Sequence, residues 1–148
     1  MDYQQVKLVK IERVHTDAQV PKYQTVGSSG MDLHSVDEVT LWSGDRRLIN
    51  TGLKIDIPKN HEIQLRPRSG LAYKHGITVL NTPATIDEDY TGELKVLLIN
   101  HGEKEFKVNV GDRIAQAVFM YVEKVEFYEG VVDESETRQG GFGSTGTN

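Results

Sequence analysis

Cysteine is absent from the 148 residues. Its absence removes disulfides, thiolate metal sites and cysteine nucleophiles together, and leaves the redox compartment unreadable. No run approaches the roughly 18 consecutive apolar residues of a membrane span. Basic stretches are lacking too: the net charge is −5, and nothing forms a patch that would hold a DNA or RNA backbone. There is no GxxxxGK[ST] phosphate loop, no GxGxxG strand–helix fingerprint and no GxSxG nucleophile elbow. The histidines (His15, His34, His61, His75, His101) are scattered without metal-ligand spacing, so no structural zinc is expected. The N-terminal MDYQQVKLVKIERV is charged and alternating, unlike a targeting peptide. The expectation is a soluble, cytoplasmic protein with neither a membrane nor a nucleic-acid polymer as partner.

What is present reads as strand. VKLVKIERV, VTLW, LINTGLKIDIP, HEIQL, GITVL, LKVLLIN, FKVNV and RIAQAVFMYV are short β-like runs, with Gly, Pro, Asn and Asp between them. Many short strands with turn signals make an all-β architecture. Only SGLAYKHG, residues 69–76, looks helical, with Ser69 as cap and Gly76 as stop. Residues 1–130 read as one β domain. Residues 131–148 turn acidic and then Gly-, Ser- and Thr-rich, and read as a mobile arm. One bulky aromatic in that arm, Phe142, has no apolar neighbours and needs a flat partner from elsewhere.

Four internal stretches carry chemistry. GMDLHS places Asp32 at a strand start, as a turn former or a carboxylate near a metal. RPRSGLA puts Arg68, Ser69 and Gly70 where a strand meets the helix. Backbone N–H groups there attract anions, and Arg offers a fork for phosphate oxygens. A capped helix with a surface Arg reads equally well. NTPATIDEDYTGE lies between apolar strands and reads as a hairpin with its tip near DYTG. Asp87 there should point away from Ile86, where it can accept a proton from water; a solvated acidic turn is the plainer reading. In GDRIAQAVF, Gln116 interrupts an apolar row and should have a fixed hydrogen-bond partner.

In this order the stretches, together with RQGGFGSTG, resemble the five motifs of the homotrimeric dUTP pyrophosphatases (dUTPases), over residues 26–146. The resemblance implies an all-β, jelly-roll-like distorted barrel of the β-clip type, with one short helix and sites shared between three chains. It implies hydrolysis of dUTP to dUMP and pyrophosphate, with Mg²⁺ mainly on the triphosphate. Asp87 would activate the attacking water, and Arg68, Ser69, Gly70 and Gln116 would hold phosphates. Asn81 and the backbone at Thr85 and Ile86 would read uracil. Tyr90 would lie under the sugar and exclude a 2′-hydroxyl, and Lys95 would contact nucleotide. Asp32 would act on the metal indirectly, through water. Phe142 would stack on the base, Gly143 and its neighbours would close over the phosphates, and Arg138 would reach the γ-phosphate. Two departures stand out: Arg138 is four residues before Phe142 rather than five, and Ala84 replaces a common Gly. A positive φ at residue 84 would strain alanine by roughly 1 kcal/mol. The alternatives are a dCTP deaminase relative, or a nucleotide-gated binding protein with a regulatory protein partner.

Overall fold

The computed structural model describes residues 6–133 and residue 141. Arg138, Phe142 and Gly143 lie outside the described residues. In chain order the elements are β1 (Ile11–Arg13), β2 (Met31–His34), β3 (Val39–Leu41), β4 (Arg46–Asn50), β5 (Leu53–Ile55), β6 (His61–Arg66), α1 (Ser69–His75), β7 (Ile77–Val79), β8 (Ala84–Ile86), β9 (Lys95–Asn100), β10 (Phe106–Val108) and β11 (Arg113–Tyr121). No helix among the described residues is long and apolar enough to cross a membrane.

The strands form a four-stranded sheet, β2-β11-β6-β8, and a three-stranded sheet, β4-β9-β7. The pairs β1-β5 and β10-β3 complete the wall. Alternation along each strand decides what faces inward. In β6, Ile63 and Leu65 are buried, while Glu62, Gln64 and Arg66 stay partly exposed. Leu33, Ile63, Leu65 and Ile114 meet Ile49, Ile77, Val96 and Leu98 in one apolar cluster. The result is the mainly β, jelly-roll-like barrel with one short helix.

Several local expectations change. GITVL and LKVLLIN do pair, through β7 and β9, but not around a tight turn. The chain between them leaves for the other sheet, where β8 pairs with β6. Burial of Ala84 against the core outweighs local hairpin closure there. Strand pairing ends at Ile86, so the alternation does not extend to Asp87, and both residues border one cleft. Ser69 is the first helical residue rather than the cap; the cap position is Arg68, extended at φ −87° and ψ 126°, with no side-chain capping bond. Arg68 cannot cap because a guanidinium has no acceptor for the helix N–H groups; it turns to Asp32 instead. The N-terminal strand shrinks to β1, leaving Val6 and Leu8 exposed. Among the described residues Asn60 is the only non-glycine with positive φ, so Ala84 is unstrained.

Gly76 ends the helix as expected. It adopts φ 69° and donates its N–H to the carbonyls of Ala72 and Leu71. A β-carbon there would also stand 2.6 Å from the Gly102 nitrogen. Gly76→Ala is therefore expected to destabilise the fold by about 1–3 kcal/mol, read as a lower urea midpoint with an unchanged slope.

Candidate active site

The first group of polar residues gathers where β2, β11 and the β6–α1 junction meet. The register places Gln116 opposite Asp32 on one side and Arg66 on the other. Asp32 is nearly buried, and both its oxygens face guanidiniums: Oδ1 lies 3.4 Å from Arg68 Nε, and Oδ2 lies 3.5 Å from Arg113 Nη1. Arg68 Nη1 also donates to the Arg113 carbonyl at 3.0 Å. A register shift between Arg113 and Ala115 turns the Arg113 end of β11 toward this cluster. Two cations share one anion, so the cluster keeps a net positive charge. Among the described residues these contacts engage Nε and Nη1 of Arg68 and leave Nη2 available.

Around this cluster Arg66 donates to Gln64 at 2.7 Å, while Gln116, His34 and Ser69 are uncommitted among the described residues. The Gln116 amide forms no hydrogen bond among the described residues, against the expectation of a fixed partner. It lies close to Gly30, where a β-carbon would stand 3.1 Å from Oε1. His34 has a buried Nδ1 without a hydrogen-bond partner. Burial lowers its pKa below 6.5; Asp32 opposes that shift, and Arg113 and Arg68 add to it. Ser69 and Gly70 are exposed at the helix start.

The second group surrounds a cleft of about 280 Å³, lined by Leu48, Thr85, Ile86, Asp87, Tyr90 and Lys95. Lys95 opens β9 opposite Asn50, and Leu48 lies opposite Leu97 on the same pair of strands. β8 brings Thr85 and Ile86 from the other sheet. Tyr90 folds back: its backbone N–H donates to the Asp87 carbonyl, and its hydroxyl donates to the Glu93 carbonyl at 2.7 Å. Glu88 accepts a bond from the Asn60 backbone N–H, which ties the acidic loop to the end of the β5–β6 connection. Asn81 is exposed in the turn after β7 and is not among the residues lining this cleft. The cleft lies just below the usual range for small-molecule sites, about 300–1,000 Å³, which suits a nucleoside better than a whole triphosphate.

The two groups are separated within the chain. Pairing of Ile63 with Ile86 sets Asp87 beside Glu62. From residue 62 to residue 68 the chain spans about 20 Å at strand rise. Arg68 then reaches toward β2 and β11, on the side of β6 away from β8. Sequence reasoning missed Arg113, His34 and Leu48. Arg113 stands at the head of the GDRIAQAVF strand, and only its pairing with distant Asp32 marks it.

No three His, Asp or Glu side chains among the described residues are grouped to hold a metal ion. Asp32, with a guanidinium at each oxygen, is committed elsewhere. This donor set suits a metal that arrives with a polyanion.

A β-barrel with paired arginines at a strand–helix junction and a nucleoside-sized cleft bearing Asp87 and Lys95 has the parts of a nucleotide-binding class of protein. The sequence model of the dUTPase family matches residues 16–146. A deoxyuridine 5′-triphosphate nucleotidohydrolase of Nautilia profundicola is 53% identical over 140 residues, covering 93% of this chain and 98% of the relative. One of Crocosphaera subtropica is 52% identical over 144 residues, covering 96% and 99%. Among solved structures, the dUTPase of Staphylococcus bacteriophage 80alpha with dUPNHPP superposes with a TM-score of 0.87 at 22% identity, covering 96% of this chain and 100% of that one. The chain belongs to the dUTPase family.

The Asp32 cluster makes a direct prediction. Asp32→Asn keeps the shape but leaves two facing guanidiniums without their anion. It should lower stability by about 1–3 kcal/mol in chemical denaturation. Added pyrophosphate should recover part of the loss by supplying the missing negative charge.

Proposed function

We propose that this chain hydrolyses dUTP to dUMP and pyrophosphate. The observation that carries the reading is Asp87 at the mouth of a nucleoside-sized cleft, in a chain of the dUTPase family. The nucleoside enters between Tyr90 and Lys95, with the backbone at Thr85 and Ile86 and the nearby Asn81 reading uracil. Tyr90, tied to the Glu93 carbonyl, lies under the sugar and leaves no room for a 2′-hydroxyl. Asp87 takes a proton from water as its oxygen bonds the α-phosphorus. The bond from that phosphorus to the bridging oxygen breaks, and pyrophosphate leaves with the electron pair. General-base help of this kind is typically worth about 10²–10⁴-fold. Positioning and charge supply the remainder. Mg²⁺ bound on the triphosphate would neutralise part of its charge. Asp32 orients Arg68 and would act on such a metal only indirectly, through water.

Arg68, Ser69, Gly70 and Gln116 hold phosphates for a neighbouring copy's cleft, in a homotrimer. The roughly 20 Å between the two groups supports this, because base and phosphate grips must act within a few ångströms of one substrate. So does residues 122–133, an extended segment outside every sheet with Val125, Phe127 and Val131 exposed at 70%, 92% and 98%. The barrel strands lie between Ile11 and Tyr121, within the proposed domain of residues 1–130. The arm from 131 closes over the site, with Phe142 on the base, Gly143 at the phosphates and Arg138 toward the γ-phosphate. A cytoplasmic location suits an enzyme of the nucleotide pool, where its product supplies thymidylate synthesis.

Incubation with Mg²⁺ and dUTP, UTP, dTTP or dCTP should convert dUTP alone. Conversion of dCTP would instead indicate a deaminase. Asp87→Asn should keep nucleotide affinity and lose about 10²–10⁴-fold in kcat; an unchanged kcat removes Asp87 as the base. Shared sites make a second prediction. Arg68→Ala and Asp87→Asn proteins, each inactive, should regain activity when their subunits are exchanged. A mixture that stays inactive would place each site within one chain.

A further inference from the structure

We propose that Gly92 is a positioning residue for Tyr90, and that its missing β-carbon sets the width of the sugar slot. The inference rests on the reading that the cleft of Thr85, Ile86, Asp87 and Tyr90 takes the nucleoside.

Glycine in a turn usually answers a backbone demand, and here there is none. The residues with positive φ are Asn60, Gly44, Gly52, Gly76 and Gly111 among those described, and Gly92 is not one of them. An alanine at 92 would therefore meet no conformational strain. What excludes a β-carbon is one neighbour. It would stand 2.6 Å from Tyr90 Oη, 2.7 Å from Cζ and 3.1 Å from Cε2. All three atoms belong to the hydroxyl end of a single ring. The ring is also tethered, because its hydroxyl donates to the Glu93 carbonyl at 2.7 Å. Tyr90 borders the cleft and Gly92 does not. A ring pushed off residue 92 changes the wall that Tyr90 gives to the cleft, where the sugar would sit. The contacted atoms are the far end of a side chain, so the loop backbone need not move. The consequence falls on substrate binding more than on folding.

The test uses the full chain with four proteins: wild type, Gly92→Ala, Tyr90→Ala and the double variant. KM and kcat for dUTP are measured with melting temperatures. Gly92→Ala should raise KM about tenfold, with kcat within about twofold and melting little changed. In the Tyr90→Ala background the same substitution should add nothing, because the ring it displaces is gone. A wild-type KM for Gly92→Ala, or an equal loss in both backgrounds, overturns the proposal. If Gly92→Ala melts early, recovery in the double variant supports the contact, and failure to recover overturns it. A wild-type KM for Tyr90→Ala alone would sink the nucleoside reading itself, and the Gly92 role with it.

Discussion

Asp32 sits between two guanidiniums in a nearly closed environment, and the arrangement of the first polar group depends on it. A buried ion pair is weak evidence for stability, since desolvating the charges costs about what their attraction returns. Its value here is geometric. The carboxylate joins β2 to β11 and to the residue that precedes α1, and it fixes the Arg68 side chain in one direction. Arg68 also donates to the Arg113 carbonyl, so its fork is held from two sides. A long cation held this way has lost its rotamer freedom before any ligand arrives. That cost is met during folding instead of during binding. Because one anion serves two cations, the held fork still presents positive charge outward. His34, kept toward its neutral form by burial, does not add a third cation beside them.

The second polar group owes its position to register instead of charge. β8 is short, and its pairing with β6 is what carries Thr85, Ile86 and Asp87 across to face Leu48 and Lys95 from the other sheet. The same register puts Asp87 at one end of β6 while Arg68 lies beyond the other. A barrel wall cannot bend β6 enough to bring its ends together. One chain therefore holds Asp87 and the paired arginines at opposite ends of β6. Phosphoryl transfer needs little covalent help and much alignment, and it is this separation that the proposed sharing of sites between copies answers.

The sequence made the strands legible wherever alternation and turn residues agreed. β6, β7, β9, β10 and β11 fall within runs visible from the pattern, and Gly76 stops the helix where glycine should. The strand alternation read around Ile86 stops at that residue, and the pairing of β8 with β6 was not visible, because three residues between turn signals carry too little pattern to name a partner. The tight hairpin around DYTG failed for a related reason: local pattern cannot say that a connection will visit another sheet. The order of the motifs made Asp87, Tyr90 and Lys95 candidates, and the cleft brings these three together with Thr85 and Ile86. Arg113 was invisible because the partner that gives it meaning is 81 residues away. Leu48 read as one more apolar strand residue, although it is 56% exposed at the cleft.

Three glycines separate internal from external causes. Gly76 is required by its own backbone angle, and Gly92 by the ring beside it. Gly70 is required by neither. It occupies the second position of α1, its φ is ordinary, and a β-carbon there would meet nothing within 4 Å. Alanine would be the better helix former at this position. Among the described residues nothing explains the glycine. A partner outside them that approaches the backbone closely when it binds would account for it. A phosphate group is such a partner, since its oxygens bond amide N–H groups that a side chain would cover. Gly70 sits beside the arginine that Asp32 holds in place, so charge and open backbone are presented together at the surface of one chain.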